Sequence, residues 1–144
     1  MGVLIDNRQT RNNLSIQQIQ TTAQALLNAL DSPDSELSIV IVDDAEMAGL
    51  NQTYRNRTGP TNVLAFPMHE GDFSDINPEL LGDVVISIDT AAREAEEMGL
   101  AMEKRFNFLL IHGVLHLFGF NHETDDDAEV MDEKMEELFK MIGE

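Results

Sequence analysis

Residues 103–118 are apolar nearly throughout, which predicts a helix that runs through the core of the fold. His112 and His116 interrupt this apolar stretch. Residues four apart lie on the same face of a helix, so the two imidazoles are directed to one place. Gly119 falls where the helix has to end, because glycine enters a left-handed cap without steric cost. The chain can therefore turn back and bring His122 to the same place.

These three histidines predict a metal site. An unpaired buried imidazole costs ~1–3 kcal/mol, whereas one metal ion satisfies all three rings together. Three neutral nitrogen ligands without a fourth protein ligand in the motif are typical of zinc with an open, water-bearing position. Imidazole also binds other divalent transition metals. We therefore expect one Zn²⁺, or a similar divalent ion, bound by His112, His116 and His122.

The histidine spacing matches the zinc-peptidase signature H-E-x-x-H-x-x-G-x-x-H, with one difference. Gly113 stands where those enzymes have the glutamate that acts as general base. The pattern therefore predicts the geometry of a metal site without the base of a peptidase.

The other patterns predict a single α+β domain over residues 1–144, with about four strands, about five helices and the histidine-bearing helix at its centre. We expect strands at residues 3–6, 37–42, 62–66 and 83–88, and a loop at residues 70–78 with His69 just before it. Ser15, then Asp43 or Asp44, and Asp89 are the expected N-caps of three helices, the third of which ends at Gly99. An amphipathic helix with an acidic outer face is expected at residues 125–142.

The net charge of −18 sets limits on the partners, because a surface this acidic repels phosphate backbones. Aspartate and glutamate are absent from residues 47–69, which include Arg55 and Arg57, so this segment is a candidate for a local basic face. No apolar run reaches the ~18 residues of a membrane span. The chain has no cysteine and begins without the pattern of a signal peptide, so we expect a soluble cytoplasmic protein with no membrane partner.

The histidine segment, with Phe120-Asn121 ahead of His122, resembles the signature of the YbeY family of bacterial metal-dependent endoribonucleases that act in ribosomal RNA maturation. Residues 50–55 (LNQTYR), 60–67 (PTNVLAFP) and 81–84 (LGDV) are similar to the other blocks of that family, in the same order. The family pattern more often has Asp where Asn62 stands and Ser where Ala65 stands. Neither residue is therefore assigned a catalytic role.

The resemblance implies an α+β fold, one bound zinc, single-stranded ribosomal RNA as substrate, and a ribosome or ribosomal protein as partner in RNA maturation and ribosome quality control. It also implies a functional arginine, carried onto Arg55, whose fork-shaped guanidinium suits a phosphate. From the residues alone, a surface or helix-capping role for Arg55 is favoured over a phosphate-binding role. Asp83 is a candidate to brace a ligand histidine or to cap the start of a strand. Tyr54 is a candidate to stack on a base, but a core position is favoured.

Two other functions are open at this point. The spacing alone favours a different zinc hydrolase, such as a peptidase, although Gly113 leaves it without the usual base. The other is a ribosome-associated module in which the metal only stabilises the fold.

Overall fold

The structure is a computed structural model that describes residues 2–9, 14–68 and 80–143. The expected loop at residues 70–78 and His69 lie outside the described residues. The strands are β1 (Val3–Asn7), β2 (Glu36–Val42), β3 (Val63–Pro67) and β4 (Leu80–Ser87). The helices are α1 (Ile16–Ala29), α2 (Asp44–Arg55), α3 (Ile88–Met98), α4 (Met102–Leu117) and α5 (Asp125–Gly143).

The four strands form one sheet in the order β1-β2-β4-β3. Strands β1, β2 and β4 are parallel, and β3 runs antiparallel to β4 at one edge. Parallel neighbours need a crossover connection, which α1 supplies between β1 and β2. The prediction of an α+β fold with about four strands and five helices is confirmed for the described part of the chain.

The strands bury side chains on both faces of the sheet. Alternate residues such as Ile39, Ile41 and Val84 belong to the larger core cluster, to which α1, α4 and α5 contribute. The intervening residues Val42 and Val85 point to the other face and belong to a second, smaller cluster. Leu64 of β3 and Met47 of α2 complete this cluster. Helices α4 and α2 therefore cover opposite faces of the sheet.

The helix caps confirm two predictions and correct a third. The Ser15 side chain accepts a hydrogen bond from the Gln18 amide, and Asp43 caps α2. Helix α3 begins two residues earlier than expected, because the fully buried Ser87 is its N-cap and not Asp89. An oxygen of Asp89 instead accepts a hydrogen bond at 3.0 Å from the Asp44 amide, in the first turn of the neighbouring helix.

Helix α3 ends at Gly99 in the left-handed conformation, as predicted. Among the described residues, no helix is both long enough and apolar enough to cross a membrane.

Candidate metal and RNA-cleavage site

The turn after α4 brings the histidines together. Gly119 has a φ of 99°, its amide donates to the His116 carbonyl at 3.0 Å, and the Phe120 amide donates to the Leu115 carbonyl at 3.0 Å. These two bonds form a Schellman motif, in which glycine accepts the left-handed conformation that ends a helix. The helix ends next to Gly119, as predicted, and the chain reverses toward its own last turn.

The three predicted metal ligands lie side by side. The ring centroids of His112 and His116 are 4.6 Å apart, and that of His122 lies 5.9 Å and 6.1 Å from them. The Nε2 atoms of His112 and His116 are 3.0 Å apart. His122 is at the rim, where its side chain is 43% exposed and its Nε2 lies 3.5 Å from an oxygen of Asp132.

The backbone sets the tautomer of His116. Its Nδ1 lies 3.0 Å from the carbonyl oxygen of Phe120, which can only accept a hydrogen bond. Nδ1 therefore carries the proton of the neutral ring, and Nε2 presents a lone pair toward His112. A carbonyl in this position orients a ligand histidine in many metal sites.

Burial keeps His112 and His116 neutral. Burial, assisted by the neighbouring His116 and His122, lowers the pKa of His112 to about 4. Burial also lowers the pKa of His116, against the opposing effect of the hydrogen bond to Phe120. Neutral imidazole is the form that binds a metal. Both rings are therefore ready to act as ligands at neutral pH.

The donor geometry fits a metal ion at two of the three ligands. With Zn–N distances of 2.0–2.1 Å, two nitrogens of a tetrahedral site lie about 3.3 Å apart, close to the 3.0 Å between His112 and His116. The Nε2 of His122 is instead directed to Asp132. Within residues 2–9, 14–68 and 80–143, no three or more histidine, aspartate or glutamate side chains form a group that could hold a metal ion. His122 would have to turn away from Asp132 and toward His112 and His116 to act as the third ligand.

Gly113 packs α4 directly against the sheet. A Cβ atom at this position would lie 2.6 Å from Cγ1 of Val84 and 3.3 Å from Cγ2 of Val63. Both neighbours are β-branched residues of the sheet, so neither can move away at low cost. The packing therefore leaves no room for the glutamate that a zinc peptidase has at this position.

Two of the three histidines, His112 and His116, line a cleft of about 620 Å³, whereas His122 lies outside it. One wall is formed by the end of α2 and strand β3. The other is formed by the last turns of α4 and the turn that follows it, with Glu123. Arg55, the last residue of α2, lines this cleft, and its positive charge helps to lower the pKa of His116. Arg55 is exposed and donates no hydrogen bond to another described residue. Arg57 does not line the cleft.

Two side-chain predictions are wrong. Asp83 precedes Val84 on β4, and Val84 faces α4, so by strand alternation Asp83 points to the other face, away from the histidines. Nor does it start the strand, which begins at Leu80. Tyr54 is 63% exposed and packs only its ring edge against Phe66, with centroids 5.3 Å apart.

Asn62 was overlooked as a cleft residue. It lines the cleft, and its side-chain Nδ2 donates to the two carboxylate oxygens of Glu94 at 3.3 Å and 3.2 Å. Glu94 also accepts from Nε of Arg105 at 2.9 Å. The sequence signal was the polar Thr61-Asn62 pair just before a strand, but nothing in it pointed to a partner 32 residues away.

Comparison with known proteins identifies, over nearly the whole chain, the family that the sequence motifs resemble. A family model described as Endoribonuclease YbeY matches residues 4–143. The chain is 48% identical to an endoribonuclease YbeY of Geobacter sulfurreducens, over 99% of this chain and 96% of the relative. It is 47% identical to an endoribonuclease YbeY of Syntrophotalea carbinolica, over 100% of this chain and 98% of the relative.

A solution structure from Thermotoga maritima has the same fold. It superposes with a TM-score of 0.70 at 24% sequence identity, covering 97% of this chain and 88% of the other.

Proposed function

The chain belongs to the endoribonuclease YbeY family, and from this premise we propose that its histidine-lined cleft cleaves single-stranded RNA with the help of one divalent metal ion. His112, His116 and His122 are the proposed ligands, and Arg55 is the proposed phosphate-binding residue. The observation that carries the proposal is the meeting of two neutral imidazole nitrogens, 3.0 Å apart, in the cleft that Arg55 also lines.

Cleavage of a phosphodiester needs positive charge at the non-bridging oxygens, an activated nucleophile and stabilisation of the leaving oxygen. A bound zinc-like ion would polarise a phosphoryl oxygen and make water acidic enough to attack near neutral pH. Arg55 would hold a second phosphate oxygen, because its guanidinium offers two parallel donors. The Phe120 carbonyl and the packing of Gly113 against Val84 would keep the ligand rings in place.

The acidic character of the chain bears on the substrate. With a net charge of −18, the protein repels most of an RNA backbone, while Arg55 offers a positive charge at the cleft itself. Free RNA should therefore bind weakly. We propose that the substrate is ribosomal RNA in the cytoplasm, presented by a ribosome or a ribosomal protein that supplies the missing affinity.

The test is to load purified protein with Zn²⁺, Mn²⁺ or Ni²⁺, to count bound ions per chain and to assay matched single- and double-stranded RNA. One ion per chain and chelator-sensitive cleavage of single strands are the expected results. One tightly bound ion without cleavage of either free or ribosomal RNA would instead support a structural metal. Cleavage that persists after the metal has been removed would contradict the proposed chemistry.

A further inference from the structure

Strand β3 is an edge of the sheet, and the hydrogen bonds at its ends show which backbone groups are free. The Ser87 amide donates to the Asn62 carbonyl at 3.0 Å, and the Met68 amide donates to the Leu81 carbonyl at 3.1 Å. In an antiparallel pair, every second residue exchanges hydrogen bonds with its partner. Leu64 and Phe66 therefore bond to β4. The backbone groups of the odd-numbered residues point to the open edge.

The residues with outward backbone groups are the ones that line the cleft. Val63, Ala65 and Pro67 all border the same space as His112 and His116. Within the described ranges, the amides of Val63 and Ala65 have no hydrogen-bond partner. Pro67 has no amide hydrogen, so the row of donors stops after Ala65. The cleft thus has two free donors on one wall, beside the histidines.

We propose that the open edge of β3 binds the phosphate backbone of single-stranded RNA, with the Val63 and Ala65 amides donating to phosphate oxygens on one side of the cleaved bond. This inference rests on the proposed function. The two donors are about 6.7 Å apart along an extended strand. They would therefore contact successive phosphates of an extended RNA chain. Backbone amides contact phosphates without reading the bases, so such binding would be independent of sequence.

Charge favours RNA on this wall. Residues 47–68 contain no aspartate or glutamate, and Arg55 lies at the same side of the cleft, whereas Glu123 lines the opposite wall. A phosphate backbone is therefore attracted to β3 and repelled from the facing turn. Uncharged amides also add donors to a chain that has only nine lysines and arginines against 27 acidic residues. An extended peptide is the other ligand that could pair with a strand edge, and the experiment tests for it.

The experiment is an NMR titration of ¹⁵N-labelled, zinc-loaded protein with a short cleavage-resistant 2′-O-methyl RNA. The Val63 and Ala65 amide signals should shift on saturation, while those of Leu64 and Phe66, which bond to β4, should shift much less. The alternation within one strand is the internal control, because a general effect of nearby RNA would move all four signals. A short unstructured peptide of the same length should move none of them.

A variant gives a second measurement. Ala65→Pro removes one amide hydrogen at an edge position, where proline is tolerated because the lost donor faces away from the ladder. The affinity for the 2′-O-methyl RNA should fall about 10-fold, with metal content and melting temperature kept. Unchanged affinity in a folded variant would overturn the inference. If the variant does not fold, the titration of the wild-type protein decides.

The possible failures are distinguishable. RNA that shifts the histidine ring signals but leaves Val63 and Ala65 unmoved would overturn the role of β3 and leave the proposed function standing. The absence of any RNA-induced shift, together with the absence of cleavage, would overturn both. Alternating shifts caused by the peptide and not by RNA would assign the edge to peptide binding.

Discussion

The two walls of the cleft are built in different ways. Helix α4, on the inner wall, is held by the core: Leu110 and Leu115 are fully buried, and Gly113 touches the sheet. The outer wall consists of Arg55, which has no hydrogen bond to a described residue, and of an edge strand with free amides. On the inner wall, the side chains that face the cleft belong to α4, the same helix that contributes many residues to the core. On the outer wall, the groups that face the cleft are the Arg55 guanidinium and the outward amides of β3, and these groups make no hydrogen bond within the described residues.

This difference predicts two kinds of variant. A change on the inner wall should alter metal binding, stability and activity together, because one helix supports all three. A change on the outer wall should alter the handling of RNA and leave metal content and stability unchanged. The comparison fails if variants of the two walls behave alike.

The largest effect is expected for His116→Ala on the inner wall. His116 is the best-oriented of the three proposed ligands, since Phe120 fixes its tautomer. Bound metal should fall to background and RNA cleavage should disappear. The melting temperature of the metal-loaded protein should also fall, because the ion links α4 to the following turn. Elemental analysis, cleavage assays and thermal melts on the same preparation measure these effects.

The matched control for His116→Ala is Lys104→Ala, an exposed residue of the same helix. It should keep the metal, the activity and the melting temperature. Equal metal content in His116→Ala and wild-type protein would remove His116 from the site.

The second effect concerns Arg55 on the outer wall. Arg55→Ala should lower the cleavage rate by about 10²–10³, as expected for the loss of one preorganised donor in the transition state. Metal content and melting temperature should stay the same, because Arg55 holds nothing in the fold. Arg55→Lys should restore only part of the rate, since a point charge cannot make two parallel contacts.

Arg57→Ala is the control for Arg55, because it removes the same charge from an exposed position that does not line the cleft. Its cleavage rate should be close to that of the wild type. A loss as large as that of Arg55→Ala would mean that only overall charge matters. An Arg55→Ala protein with a lowered melting temperature and full specific activity would make Arg55 structural.

A smaller effect, on stability, is expected when Gly113 and Gly49 are each replaced by alanine. Gly49 lies inside α2, where an added Cβ atom would meet no packing neighbour within 4 Å, so Gly49→Ala should stabilise the protein by about 0.5–1 kcal/mol. Gly113→Ala would place a methyl group 2.6 Å from Val84 and should destabilise by about 1–3 kcal/mol. Urea unfolding of both variants measures the difference. If both substitutions changed the free energy of unfolding in the same direction, α4 would not be packed as tightly as described.

The inner wall could be predicted from sequence because its signals are local. The spacing of His112 and His116, the glycine after them and the apolar run around them are all consequences of helix geometry, so they are visible along the chain. The carbonyl of Phe120 that orients His116 was not predicted, because every residue has a carbonyl and none is marked by the sequence.

The outer wall could be predicted only in part, because its features depend on contacts between distant segments. The order of the strands, which leaves β3 at the edge, cannot be deduced from the strand patterns. The role given to Asp83 was wrong because one residue along a strand changes the face of the sheet. Arg55 was found through the family resemblance, and its position in the cleft then followed from the fold.

The smallest effect is on the pH dependence of stability, and it tests the inner wall without metal. Burial lowers the pKa of His112 to about 4, from about 6.5 in an unfolded chain. Between these values the unfolded chain binds more protons than the folded one, so stability should fall as the pH falls from about 6.5 toward 4. His112→Gln in chelator should melt with a weaker pH dependence than wild type, though His116, whose pKa burial also lowers, should keep part of it. Below this range both proteins should lose further stability together, because the pKa of the Asp44 carboxyl is also lowered in the folded protein. Burial alone would raise the pKa of Asp44, but the hydrogen bonds from Thr90, Arg93 and Ser87 outweigh that effect. Identical pH profiles for the two proteins between pH 6.5 and 4 would show that His112 is not buried enough for α4 to hold it neutral.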